Sequence, residues 1–372
     1  MSAYAIYRLP HEDHATIIRQ TEGEPVELHS LTELNGKQGF VVAPFEVKPG
    51  QPIVVIQGET TICHLEQPCC HLEQAKRVER SLDYARDDIG EGHCDDKGDG
   101  HRDDTPSGYY KVDFANYHSQ LENDTFRKIV LARCADEKMD AEVEPMELFY
   151  RACEMYPRLF IALVDTPQTG CWLTATPEIL LDGKGTDWRT IALAGTMKLE
   201  GEQLDGEGET LTWSTKNIQE QRIVATYITE CLEQFTGNFR EDGPRTVRAA
   251  NLVHLRSDFT FKLENNSHIG DLLNTLHPTP AVCGLPKRQA FQFIVKNEHT
   301  PRRYYSGFMG PMGADATHLY VSLRCMNIDG DTCHLFAGGG LLKDSTEEQE
   351  WLETEAKMET MRRILDVRTE ET

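Results

Sequence analysis

The chain has 372 residues, 39% hydrophobic and 27% charged, and 38 Lys and Arg stand against 61 Asp and Glu for a net charge of −23. That charge repels nucleic acid and anionic membrane surfaces at long range, so neither is an expected partner. No run approaches the ~20 apolar residues of a membrane helix, and the first residues lack a basic segment followed by an apolar run, so a soluble cytoplasmic protein is expected.

In chain order, residues 1–85 mix short apolar runs such as GFVVAPF and QPIVVIQ with polar turns, which predicts strands followed by a helix over 72–85. Residues 86–109 are rich in Asp and Gly and read as a solvated loop. Beyond them the pattern predicts helices over 146–155, 214–235, 268–276, 287–296 and 346–365. Strands are predicted over 160–165, 171–181, 191–195, 247–254, 259–263, 304–310, 318–327 and 332–337, with a hairpin at 329–331. Strand-rich blocks separated by helices imply an α+β fold with large mixed or antiparallel sheets flanked by helices. Residues 1–110 are expected to be a divergent N-terminal part of the same fold, and 111–372 the catalytic region.

Two clusters invite a metal reading. CHLEQPCCH gathers Cys63, His64, Cys69, Cys70 and His71, but not at the paired spacing of structural zinc sites. His93, Cys94, Asp95, Asp96 and His101 lie in the acidic loop, where ordering costs entropy before an ion can bind. A solvated loop is the better reading of the second. The 11 cysteines, scattered through apolar stretches, suit reduced thiols rather than a disulfide framework.

Other segments carry residues suited to chemistry. In FRKIVLAR (126–133), strand alternation places Lys128 with Phe126 and Val130. Desolvation there would lower the lysine's pKa and let it take a proton from water; the alternative is a lysine guarding a sheet edge. In TATPEILL (174–181), Glu178 is either an outward surface residue or a buried acid with a raised pKa, able to protonate a leaving hydroxyl. IALAGT (191–196) ends in Gly195 and Thr196, which permit close backbone approach to a ligand. STKNIQEQ (214–221) opens a helix with Ser214 as cap and sets Asn217 and Glu220 on one face. Glu350, Glu353 and Lys357 project together from the last helix, so two carboxylate-bearing helices could hold one hard cation such as Mg²⁺. An exposed Glu353–Lys357 ion pair is the plainer alternative. Arg324 in VSLRCM and the run Gly338, Gly339, Gly340 in AGGGLL describe a carboxylate pocket.

The order and content of these segments resemble the chorismate-utilising enzymes, among them anthranilate, aminodeoxychorismate, isochorismate and salicylate synthases. The resemblance covers about 125–365 and rests on FRKIVLAR, TATPEILL, LAGT, STKNIQEQ, NLVHL, LHPTPAVCGLPK, GFMG, VSLRCM, AGGGLLKDS and EWLETEAK in family order. It implies one large α+β unit that binds the small molecule chorismate; separately, a monomer is expected, although the sequence does not give the oligomeric state. By motif, Glu220 and Glu353 would ligate Mg²⁺, with Glu350 contacting it through water. Arg324 and the backbone of Gly338, Gly339 and Gly340 would hold substrate carboxylate, with Gly195, Thr196 and Lys357 nearby. His254 matches the active-site histidine of NLVHL, although a lone strand histidine is otherwise more often a core residue. His277 begins a motif that lines the pocket.

Within the family, members that attach an amine through a lysine carry it where this chain has Ala194. Lys128 stands where ammonia-using members have glutamine. The implied chemistry is attack of a Lys128-activated water on C2, with Glu178 protonating the departing C4 hydroxyl, giving isochorismate. Salicylate formation, with added loss of pyruvate, and a non-catalytic binding homologue are the alternatives. Asn217 departs from the family's usual Asp. The sequence leaves open whether the product would feed quinone or siderophore synthesis.

Overall fold

The computed structural model describes residues 3–65, 107–198, 212–249, 252–263 and 267–366. Two nine-stranded sheets dominate, and every pairing between their strands is antiparallel. Across the first sheet the order is β14 (Gly284–Leu285), β7 (Lys128–Lys138), β18 (Thr332–Leu341), β17 (Cys325–Asp329), β9 (Gly170–Thr176), β8 (Phe160–Thr166), β1 (Ala3–Arg8), β2 (His14–Gln20) and β6 (Glu59–His64). Across the second it is β12 (Phe239–Ala249), β13 (Leu252–Lys262), β11 (Asp187–Lys198), β10 (Ile179–Lys184), β16 (Ala316–Val321), β15 (Phe308–Met312), β4 (Gly39–Ala43), β5 (Ile53–Ile56) and β3 (Val26–Leu28). The described helices are α1 (Ser107–Glu122), α2 (Pro145–Met155), α3 (Thr215–Leu232), α4 (Ile269–Leu276), α5 (Lys287–Asn297) and α6 (Glu347–Leu365). None is long and apolar enough to cross a membrane.

The sheets pack face to face. Ala5, Phe160, Trp172 and Phe336 of the first meet Phe40, Val54, Leu193 and Tyr320 of the second, with Phe160 stacked on Tyr320 at 4.2 Å. The outer face of the first sheet is covered by α2 and α6 through Phe149, Met358 and Ile364, and that of the second by α3 and α4 through Val224, Ile228 and Leu272. At one end α1 and α5 cover Ile129 and Leu131 of β7. Burial on both faces explains why β7 reads as a continuous apolar run rather than an alternation. Helix termini follow local rules: the Ser214 hydroxyl accepts the Asn217 amide at 3.2 Å, and α6 has Glu347, Glu348 and Glu350 in its first turn and Arg362 and Arg363 in its last.

The α+β architecture is the expected one, but several boundaries differ. The strand expected over 171–181 is two, β9 and β10, in different sheets, because Pro177 has no amide to donate to a ladder. The strand expected over 318–327 likewise divides into β16 and β17, and Arg324 at the join has a φ of 47°, left-handed backbone that no strand contains. Tyr320, Ser322 and Arg324 therefore do not share a strand face. Strands expected over 247–254 and 259–263 are instead the hairpin β12–β13. Its outer strand is exposed and charged, with Arg245 paired to Asp258, so it lacks an apolar signature. The strand expected over 304–310 starts only at Phe308, and residues 107–109 belong to α1 rather than to the acidic loop. The hairpin at 329–331 is present, turning at Gly330. The helix expected over 72–85 and the cluster at 93–101 lie outside the described residues, as do Cys69, Cys70 and His71.

Candidate active site

Glu178 and Arg324 sit at neighbouring crossovers between the two sheets. The chain leaves β9 for β10 through Pro177 and Glu178, and leaves β16 for β17 through residues 322–324. The Val321 amide donates to the Glu178 carbonyl at 2.9 Å, and the Ala175 amide to the Arg324 carbonyl at 3.1 Å. These bonds hold both side chains inside, 3% and 6% exposed.

Three glycines on β18 make room for the opposite wall. A Cβ on Gly340 would lie 2.2 Å from Glu220 Oε1 and 2.7 Å from Lys128 Cε, one on Gly339 would lie 2.8 Å from Glu350 Oε2, and one on Gly338 would lie 2.8 Å from the Tyr305 hydroxyl. β17 ends opposite Phe336, so beyond that point β18 pairs with β7 alone. Lys357 Nζ donates to the Gly338 carbonyl at 2.9 Å from the open side. An antiparallel residue points its N–H and C=O the same way, so the Gly338 and Gly340 amides also face the cleft while that of Gly339 faces β7.

Lys128 is fully buried, and its Nζ lies 2.8 Å from Glu220 Oε1. The site thus differs from the purely apolar setting expected for it, since a carboxylate from α3 faces its Nζ. The edge-lysine alternative fails, since β14 lies outside β7 and pairs Leu285 with Lys128. The other oxygen of Glu220 accepts the Gly195 amide at 3.0 Å. Gly195 has a φ of 71° at a bulge between Ala194 and Thr196, which turns its amide toward α3. Asn217 packs against it, 3.1 Å from where a Cβ would be.

Arg324 donates to His254 Nε2 at 2.6 Å. A guanidinium only donates, so Nε2 is the acceptor and the proton resides on Nδ1, which donates to the Gly195 carbonyl at 3.2 Å. Burial, with Arg324 and Lys357 close by, holds His254 well below its ordinary range, and the ring is neutral. Burial lowers Arg324 to about 10, still charged at neutral pH. Burial pushes the Glu178 carboxyl up to about 8, against the pull of Lys128, Lys357 and Arg324, so it is protonated near pH 7. Burial also acts to raise Glu220, but Lys128, Lys357 and Lys216 outweigh it and hold the carboxyl below its usual range.

Glu220, Glu350 and Glu353 each pair with a lysine: Lys128, Lys216 and Lys357 respectively. Burial and the neighbouring Glu353 raise Glu350 despite Lys216, and its Oε2 is buried without a hydrogen bond of good geometry. Lys216 is raised because Glu350, Glu353 and Glu220 all bear on it, outweighing its burial. An oxygen-only donor set with an unpartnered buried oxygen fits a hard divalent cation.

The cleft encloses about 640 Å³, mouth included, and is lined by Glu178, Gly195, Thr196, Glu220, His254, Arg324, Gly338, Gly340 and Lys357. Lys128, Gly339, Glu350 and Glu353 stand behind this wall rather than in it. His277 packs edge-on against Phe308 as a core residue, while Ala281 and Val282 of its motif reach the lining. Sequence reasoning missed Tyr305, Phe336 and Lys216. The lysine beside the capped helix start was visible, but nothing local tied it to Glu350, 134 residues away.

A family profile described as chorismate binding enzyme matches residues 54–366. The isochorismate synthase EntC of Escherichia coli (strain K12) is 30% identical over 238 residues, 63% of this chain and 61% of that protein. The salicylate biosynthesis isochorismate synthase of Pseudomonas aeruginosa is 32% identical over 253 residues, 66% of this chain and 52% of that one. The match thus spans only about three fifths of these relatives' length or less. Among solved structures, MenF, the menaquinone-specific isochorismate synthase of Escherichia coli, superposes with a TM-score of 0.75 at 22% identity, covering 98% of this chain and 89% of that one, and so shares its fold. With the profile spanning most of its length, this chain belongs to the chorismate-binding enzyme family.

Proposed function

We propose that the protein converts chorismate to isochorismate, with Lys128 as base, Glu178 as acid and Mg²⁺ as cofactor. The observation that carries this reading is Glu178, a carboxyl 3% exposed and raised to about 8 by burial, at the wall of a cleft also lined by Glu220, with Lys128 paired to Glu220 behind that wall.

As the base of this step, Lys128 takes a proton from water as the oxygen bonds to C2 of the ring. The double bonds shift, the C4–O bond breaks, and the departing hydroxyl takes the proton from Glu178. One water enters and one leaves, so the step is an isomerisation. Arg324, fixed by His254 and its backbone, faces the cleft with a charged fork suited to carboxylate. The Gly338 and Gly340 amides offer donors to a second anionic oxygen. Ala194, in the cleft lining, carries no amine at the position where amine-attaching members of the family have their lysine.

Glu220 and Glu353 would hold Mg²⁺, with Glu350 acting through water. When bound, the ion supplies the positive charge these carboxylates now take from lysines, and neutralises a substrate carboxylate. That local charge answers how an anion reaches a chain of net charge −23. The test is product analysis with chorismate and Mg²⁺. Isochorismate is expected; salicylate with pyruvate, or no product from folded protein, contradicts the reading.

A further inference from the structure

Away from the cleft, three side chains of metal-ligating type meet near the far ends of β7 and β18. Cys134 and Asp136 are two residues apart on β7, so alternation sends both to one face of the sheet. On β18, His334 lies directly opposite Asp136 and Phe336 opposite Cys134. One ligand atom from each of Cys134, Asp136 and His334 falls within 4.8 Å of the other two. Cys134 Sγ is 3.7 Å from Asp136 Oδ1, and His334 Nδ1 is 2.7 Å from the same oxygen.

Bonds of about 2.0 to 2.3 Å in a tetrahedral zinc site separate its ligand atoms by roughly 3.3 to 3.8 Å. The thiol and carboxylate already stand at that spacing. The imidazole and carboxylate need to part by less than about 1 Å, a rotation open to the exposed Asp136. A bare surface His–Asp hydrogen bond needs neither the thiol nor its aim at the same oxygen.

We propose that Cys134, Asp136 and His334 form a zinc site, with water in the fourth position, that clips β7 to β18. One sulfur, one nitrogen and one oxygen suit zinc or a similar transition metal rather than Mg²⁺, which separates this site from the glutamates at the cleft. Without an ion the thiol is protonated, because burial and Asp136 push it up to about 12. Loading therefore forms the metal–sulfur bond and releases the thiol proton to solvent. The clip would brace the two strands that carry Lys128 and the three glycines to the cleft.

The test uses full-length protein stripped with chelator, then titrated with Zn²⁺ by calorimetry and with Co²⁺ as a spectroscopic probe. Wild type should take up Zn²⁺ and show a near-ultraviolet Co²⁺–thiolate band with visible bands of four-coordinate geometry. Cys134→Ser should lose the thiolate band, and His334→Ala should weaken binding at least about tenfold. A Cys63→Ser/His64→Ala control should retain both. No Zn²⁺ uptake by wild type, signals unchanged in Cys134→Ser and His334→Ala, or signals lost only in the control would each overturn the assignment.

Discussion

Lys128 Nζ lies 2.8 Å from a carboxylate oxygen of Glu220, in a pair packed almost wholly out of water. Removing one member of a buried pair strands the other and costs about 3–5 kcal/mol. Lys128→Met should therefore lose turnover by roughly 10²-fold or more. It should also unfold at lower denaturant in chelator, and regain part of its stability, but not its turnover, when Mg²⁺ is added. Wild-type rates from this variant would remove Lys128 from the reaction.

Glu178 sets a pH dependence whose sign follows from its raised value of about 8. Between an unfolded value near 4.3 and about 8, the folded chain holds a proton that the unfolded chain has released. Stability from this group is therefore complete below pH 4 and lost as pH rises toward 8, at up to about 1.4 kcal/mol per unit. Glu178→Gln, which cannot ionise, should flatten that slope between pH 5 and 8 in denaturant titrations and abolish turnover. In the wild type, kcat/KM should decline above pH 8 as the acid is lost.

How much of this was readable beforehand depends on distance along the chain. Helix α3 declares itself by its Ser214 cap and α6 by its terminal charges, and both by periodicity. The crossovers were not legible. Residues 171–181 and 318–327 look like unbroken strands, because apolar character persists when a strand changes sheets inside a two-sheet core. Pro177 is the one local signal: it breaks the ladder between β9 and β10 and puts Glu178 in the cleft. From the sequence, the glycines of β18 point only to a carboxylate pocket. Their second role, making room for Lys128, Glu220, Glu350 and Tyr305, depends on elements over a hundred residues away. The same limit hid Lys216.

Gly340→Ala tests that spatial role. Its Cβ would lie 2.2 Å from Glu220 Oε1 and 2.7 Å from Lys128 Cε, so the pair must part. Overpacking of this kind costs about 1–3 kcal/mol. Turnover should fall at least tenfold, and thermal unfolding should shift down. A variant with wild-type turnover and melting temperature would show that the glycine is not needed for close packing.

Lys216 pairs with Glu350, which is 1% exposed. Lys216→Met should destabilise the ion-free protein by several kcal/mol, the scale of a stranded buried charge. Mg²⁺ should raise the melting temperature of this variant more than that of wild type, since the ion then offsets the charge of a Glu350 that has lost its lysine. Glu353→Gln and Glu220→Gln should shrink the Mg²⁺-induced shift. Equal shifts in all of these proteins would place the ion elsewhere.

In the proposed reaction Lys128 directs water, not the substrate's own hydroxyl, onto C2. Early turnover in H₂¹⁸O with Mg²⁺, followed by mass spectrometry, separates the two. Isochorismate should carry one ¹⁸O, located at C2. Isochorismate free of label would contradict it.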